Sequence, residues 1–203
     1  MEHITNTITV RGSLLSLPCF SHENHGRQFY RFTLEVPRLS GAVDLLPVIA
    51  EAQLVEQLDP CAGEMVCVTG QIRSHNQRSS DGRHLMIFIF AGSITVDDGE
   101  PVNDVIVEGP LCKKPVFRRT PLGREICDVM LAVPRAFRRA DYLPCILWGR
   151  VAQEISACHI RDCIRICGRL QSRIYTKLTE DGPVERTAYD ISALTAQIVR
   201  NEE

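Results

Sequence analysis

The feature that most constrains this chain is that it repeats itself. Displaced by 97 positions, residues 6–49 align with residues 103–146 without a gap. The identical pairs include Asn6/Asn103, Val10/Val107, Gly12/Gly109, Leu14/Leu111, Leu34/Leu131, Val36/Val133, Arg38/Arg135, Asp44/Asp141, Leu46/Leu143 and Ile49/Ile146. One added residue then brings Gly70 onto Gly168 and Ser74 onto Ser172. Repeats of about 100 residues are copies of a whole domain, not units of a short-period solenoid. The boundary falls in the polar, turn-forming segment Asp97-Asp98-Gly99-Glu100-Pro101, giving expected domains at 1–98 and 102–203.

Each repeat reads mostly as strand. From Ile164 to Tyr175, Ile164, Ile166, Gly168, Leu170, Ser172 and Ile174 alternate with Arg165, Cys167, Arg169, Gln171, Arg173 and Tyr175. A period of two buries one face and leaves the other largely basic. Val105–Val107, Ile126–Val133, Tyr142–Trp148 and Ala188–Val199 are further strands, and Val151–Ile155 has short helical spacing. The first repeat follows with strands near 6–17, 27–37, 43–51, 64–75 and 83–96 and a short helix after Glu51. Three strands, a short helix and two strands is the order of the five-stranded oligonucleotide-binding (OB) barrel. The expected class is all-β, with two such barrels in tandem.

Composition excludes several alternatives. The longest apolar run, Leu85–Ala91, is far too short for a membrane helix. The start, Met1 to Asn6, has no export-signal pattern, so the expected location is cytoplasmic. The nine cysteines include no Cys-x-x-Cys pair. Even the densest group, Cys158, Cys163 and Cys167, does not fit the usual zinc-ligand spacing. Reduced thiols acting as small core hydrophobes, with no metal and no cofactor, is the expectation. No phosphate loop, catalytic carboxylate pair or nucleophile motif is present, so the chain is not expected to be an enzyme.

Charge separates the repeats. Residues 1–100 hold 7 basic and 12 acidic side chains, and residues 101–203 hold 16 and 13. The second repeat also sets aromatics among its cations: Phe137, Tyr142, Trp148 and Tyr175. Cations that track phosphates, with aromatic faces on which bases stack, are the two devices that bind single strands. Phe137 sits in the loop-like Arg135-Ala136-Phe137-Arg138-Arg139. Tyr142 and Trp148 are six apart and share a strand face. Tyr175 lies on the basic face of its strand.

At these residues the second repeat resembles the bacterial single-stranded DNA-binding protein (SSB) family. The resemblance rests on Asn103–Gly109, Arg118–Gly123, Leu131-Ala132-Val133, Trp148-Gly149-Arg150, and Ile166-Cys167-Gly168-Arg169-Leu170 through Tyr175. It implies base stacking on Phe137, Tyr142, Trp148 and Tyr175. The phosphate contacts expected with them are Arg118, Arg119, Arg135, Arg138, Arg139, Arg150, Arg169, Arg173 and Lys177. It further implies sequence-tolerant binding of single-stranded DNA in replication, recombination or repair, in the bacterial cytosol or nucleoid, by a homodimer holding four barrels. The first repeat departs from the pattern: Ser40, Leu45, Glu51 and Gln77 stand at the four aromatic positions, and Ser21, His22, Gly41, Ala42 and Gln53 replace cations. It is expected to be a scaffold or assembly barrel. The family's acidic, partner-recruiting tail has no counterpart in Val199–Glu203. A replication-restart or recombination accessory protein, with barrels that mainly bind proteins, is the competing reading. An RNA-binding OB protein is a third, since a stacking platform accepts any base.

Overall fold

The first repeat begins with strand β1 (Asn6–Leu14), on which alternate side chains from Asn6 to Leu14 are buried. It continues through β2 (Cys19–Asn24), β3 (Arg27–Pro37), β4 (Val43–Glu51), α1 (Ala52–Glu56), β5 (Met65–Ser79) and β6 (Gly82–Val96). The second repeats the order as β7 (Val102–Pro110), β8 (Val116–Arg119), β9 (Glu125–Arg135), a 3-10 turn at Ala136–Arg138, β10 (Arg139–Trp148), α2 (Gly149–Ser156), β11 (Cys163–Thr179) and β12 (Gly182–Val199). These elements come from a computed structural model that describes residues 5–58, 61–79, 82–179 and 182–199. Residues 200–203, which bear on the expectation about the tail, lie outside it.

Two compact units result. The N unit comprises Ile8–Asn103 together with Gln171–Tyr189; the C unit comprises Asp104–Leu170 with residues 5–7 and 190–199. In the N unit, β5 pairs antiparallel with β1 and with β6, β6 runs parallel to β4, and β4 pairs antiparallel with β3. The β3–β1 register Ser13↔Glu35 and Leu14↔Leu34 closes the circuit. In the C unit the same circuit runs β7–β11, then β12 parallel to β10, then β10–β9. It is closed by the bridge Leu111↔Leu131. Both are OB barrels.

The repeat's shared residues are the ones closure needs. Val10, Leu14, Leu34, Val36 and Leu46 are buried, as are Val107, Leu111, Leu131, Val133 and Leu143 at the matching positions. Gly12 and Gly109 sit where the first strand crosses the third. A Cβ on Gly109 would stand 2.7 Å from the Ala132 carbonyl oxygen, and one on Gly12 2.5 Å from that of Glu35. A larger residue would push the crossing strands apart. Helix α2 buries Ala152 and Ile155, three apart on one face.

Two features depart from the sequence expectation. Each barrel carries an additional short strand, β2 or β8, paired as a hairpin with β3 or β9. All four residues of β8 are exposed, so no alternation marks it. The expected alternation of β11 also stops early: Ile164, Ile166 and Leu170 are buried, but Ile174 is 67% exposed. From Gln171 the strand leaves its barrel, and the segment Gln171–Tyr189 joins the N unit as a two-stranded arm.

Candidate nucleic-acid interface

Strand β10 places the candidate platforms by parity. Asp141, Leu143, Cys145 and Leu147 point inward and are buried. Tyr142 and Trp148 therefore share the outward face, 44% and 39% exposed. On that face Tyr142 stands opposite Ala132, and Pro144 opposite Met130. The neighbouring strand β12 contributes Ser192, whose hydroxyl oxygen accepts the indole N–H of Trp148 at 3.1 Å. That bond fixes the ring at the strand edge, where an indole with its one donor satisfied can offer its face. Ser192 was not among the sequence candidates; a serine on an unremarkable strand carries no signal by itself.

Phe137 stands at the entrance to this strand. It is 94% exposed, in a turn where its backbone is left-handed (φ 60°, ψ 36°). Arg138 beside it is left-handed too, with φ 55°. The first repeat has Gly41, φ 84°, at the position of Arg138. A conformation that glycine adopts without cost is thus imposed on an arginine, which costs roughly 1–2 kcal/mol. Strain of this kind collects at functional sites.

The C unit's candidate cations fall into three groups. Arg118 bonds Asp128 at 2.6 Å, Arg119 bonds Glu125 at 2.8 Å and Arg150 bonds Glu154 at 2.9 Å, all on exposed guanidinium groups. Hydrogen bonding to Asp128 raises the pKa of Arg118. The Arg119 hydrogen bond, followed by one from Gln153, holds the Glu125 carboxyl below its ordinary range. Exposed pairs of this kind are loosely held, and a phosphate can replace the carboxylate. Arg135 differs: it reaches Asp141 at 3.3 Å, and that carboxylate is fully buried. Its charge is committed to an interior partner that is costly to abandon. Among the described residues, Arg138, Arg139 and Arg169 enter no ion pair. Of the candidate cations of this unit, they are the ones not engaged by a carboxylate.

The remaining candidates, Tyr175, Arg173 and Lys177, lie on the arm and belong to the N unit. Tyr175 is 36% exposed. In the N barrel itself, the position of Trp148 carries Glu51, paired with Arg27 at 3.6 Å, and that of Tyr142 carries Leu45. A carboxylate where the other barrel has an indole opposes a phosphate backbone.

None of the described residues forms a three-member cluster of His, Cys, Asp or Glu able to hold a metal. No helix among them is long and apolar enough to cross a membrane.

Comparison with known proteins bears on the family and the fold. The model of the single-strand binding protein family matches residues 102–199. "Single-stranded DNA-binding protein B" of Bacillus subtilis is 35% identical over 80 residues, covering 36% of this chain and 71% of that protein. "Single-stranded DNA-binding protein" of Bacillus cereus is 36% identical over 81 residues, covering 36% of this chain and 48% of that one. The chain thus spans about half the length of that relative and over two thirds of the other. The wild-type single-stranded DNA binding protein from Thermus aquaticus superposes over 98% of this chain and 94% of its own, with TM-score 0.80 and 20% identity, a likeness of fold. By its second repeat and its B. subtilis relative, the chain belongs to the single-strand binding protein family.

Proposed function

We propose that the chain binds single-stranded DNA without marked sequence preference and protects it during replication, recombination or repair, without catalysis. The observation that carries this reading is the shared outward face of Tyr142 and Trp148 on β10, with Phe137 fully presented at its entrance. Stacking on such a face is indifferent to base identity, because every base has a π-face. Arg138, Arg139 and Arg169 supply phosphate contacts directly, and Arg118, Arg119 and Arg150 supply them by exchanging partners. Tyr175, Arg173 and Lys177, on the arm, are further candidate contacts. In this reading the working protein is a cytosolic homodimer with four barrels.

The test is the affinity for oligo-dT, duplex DNA and an RNA of equal length, each measured across a salt titration. Tight oligo-dT binding that weakens with salt, and much weaker duplex binding, is the expected result. Equal affinity for duplex would remove stacking from the account. Preference for the RNA would support the alternative ligand.

A further inference from the structure

The N barrel retains a polar pair that its lost stacking residues do not explain. Asp44 is 1% exposed, and its carboxylate accepts the Arg38 Nε–H at 2.7 Å. Its other partner is Ser172, the second residue of the arm. The Ser172 amide donates to Asp44 Oδ1 at 2.6 Å, and the Ser172 hydroxyl approaches the same oxygen at 3.3 Å. Arg38 Nη2 donates to the Ser172 carbonyl at 3.0 Å. The Leu45 amide donates to the Ser172 hydroxyl at 3.0 Å. Every polar group of Ser172 is therefore engaged by Arg38, Asp44 and Leu45. A second contact joins Arg186 on β12 of the arm to the His84 ring at 3.0 Å.

We propose that Arg38 and Asp44 form a cradle that positions the DNA-contacting arm of the second repeat, so that the first repeat serves binding by holding Tyr175 rather than by stacking bases itself. This rests on the function proposed above for Tyr175. Two observations carry it. Ser172 lies one residue before Arg173 and three before Tyr175, so fixing its amide, carbonyl and hydroxyl sets the strand's position and twist at those residues. The arm beyond Ser172 buries little: Arg173, Ile174, Tyr175 and Thr176 are all exposed. With so little apolar burial, its order depends on specific hydrogen bonds, and segments of this kind open most readily when those are removed. Arg38 and Asp44 are thus positioning residues. They account for a repeat that keeps an Arg–Asp pair with a buried carboxylate while its aromatic positions drift to Ser40, Leu45, Glu51 and Gln77.

The experiment uses the full chain and the variants Asp44→Asn, Ser172→Ala and Tyr175→Ala, singly and with Tyr175→Ala combined with each of the others. Without DNA, amide hydrogen exchange is read at residues 172–178. Asp44→Asn is expected to speed exchange there at least about tenfold, with Ser172→Ala smaller in the same direction. With oligo-dT, Tyr175→Ala is expected to weaken binding about fivefold or more. Asp44→Asn should weaken it comparably in the wild-type background, but less than about twofold when Tyr175 is already alanine. Unchanged exchange, or an Asp44→Asn loss of the same size in both backgrounds, overturns the proposal. If Asp44→Asn fails to fold, the Ser172→Ala cycle decides by the same criteria, since it alters a half-buried hydroxyl only. If the wild type does not bind oligo-dT, the functional reading fails, and the exchange data still decide whether the cradle holds the arm.

Discussion

At the residue scale, Arg138 separates what the fold needs from what the proposed DNA binding needs. Its left-handed backbone is one that the first repeat gives to Gly41. Replacing Arg138 with glycine is therefore expected to stabilise the C barrel by about 1 kcal/mol while weakening oligo-dT binding. A melting curve and a binding isotherm on the same variant check both signs. Replacing Arg138 and Arg139 together should make the salt dependence of binding shallower by roughly 1.4 in log–log slope, since each phosphate contact on a single strand contributes about 0.7. The cysteines give a second residue-level prediction. Burial, and then the nearby Asp190, push the Cys145 thiol far above its ordinary range. The thiolate is the nucleophile, so Cys145 stays protonated and unreactive at pH 8. Exposed Cys19 and Cys61 should be alkylated in the native protein, and Cys127, Cys145 and Cys158 only after unfolding, as read by peptide mass mapping.

At the scale of the element, the strands that close the barrels were legible because their alternation coincides with burial. Val10, Leu34 and Leu46, and their partners 97 residues on, are apolar for a reason that period two reveals. Tyr142 and Trp148 were legible as face-sharing for the same reason. The short strands β2 and β8 were not: they lie in exposed hairpins and bury almost nothing, so no pattern distinguishes them from loop. The arm was legible as strand but not as a departure from its barrel. Ile174 continues the apolar alternation that Ile164 and Ile166 began, and only the structure shows it 67% exposed. Nor does an alternation show where the partners of Ser172 lie. The one available signal was that Asp44/Asp141 and Ser74/Ser172 are identical while the aromatics between them diverge. Closure itself makes a prediction. Gly109→Ala would place its Cβ against the Ala132 carbonyl, and overpacking of this kind costs about 1–3 kcal/mol, visible as a lower melting temperature.

For the whole molecule, the proposed tasks of the two like barrels are unlike. The C barrel offers Phe137, Tyr142 and Trp148; the N unit supplies Glu51 and Leu45 at the matching positions but holds the arm that bears Tyr175. The proposed dimer predicts a mass near twice 22.8 kDa by light scattering at micromolar concentration. A monomer mass would remove assembly from the account of the first repeat. The most direct test uses the fact that Trp148 is the only tryptophan of the chain, so its fluorescence reports on the C barrel alone. Titrating the full chain with oligo-dT at low salt should quench that fluorescence to a saturating limit. Tyr142→Ala should need several-fold more DNA to reach it, since a stacked base contributes about 1–3 kcal/mol. Binding of oligo-dT that leaves Trp148 fluorescence unchanged in the folded protein would contradict the account, because the strand would then lie somewhere other than on this face.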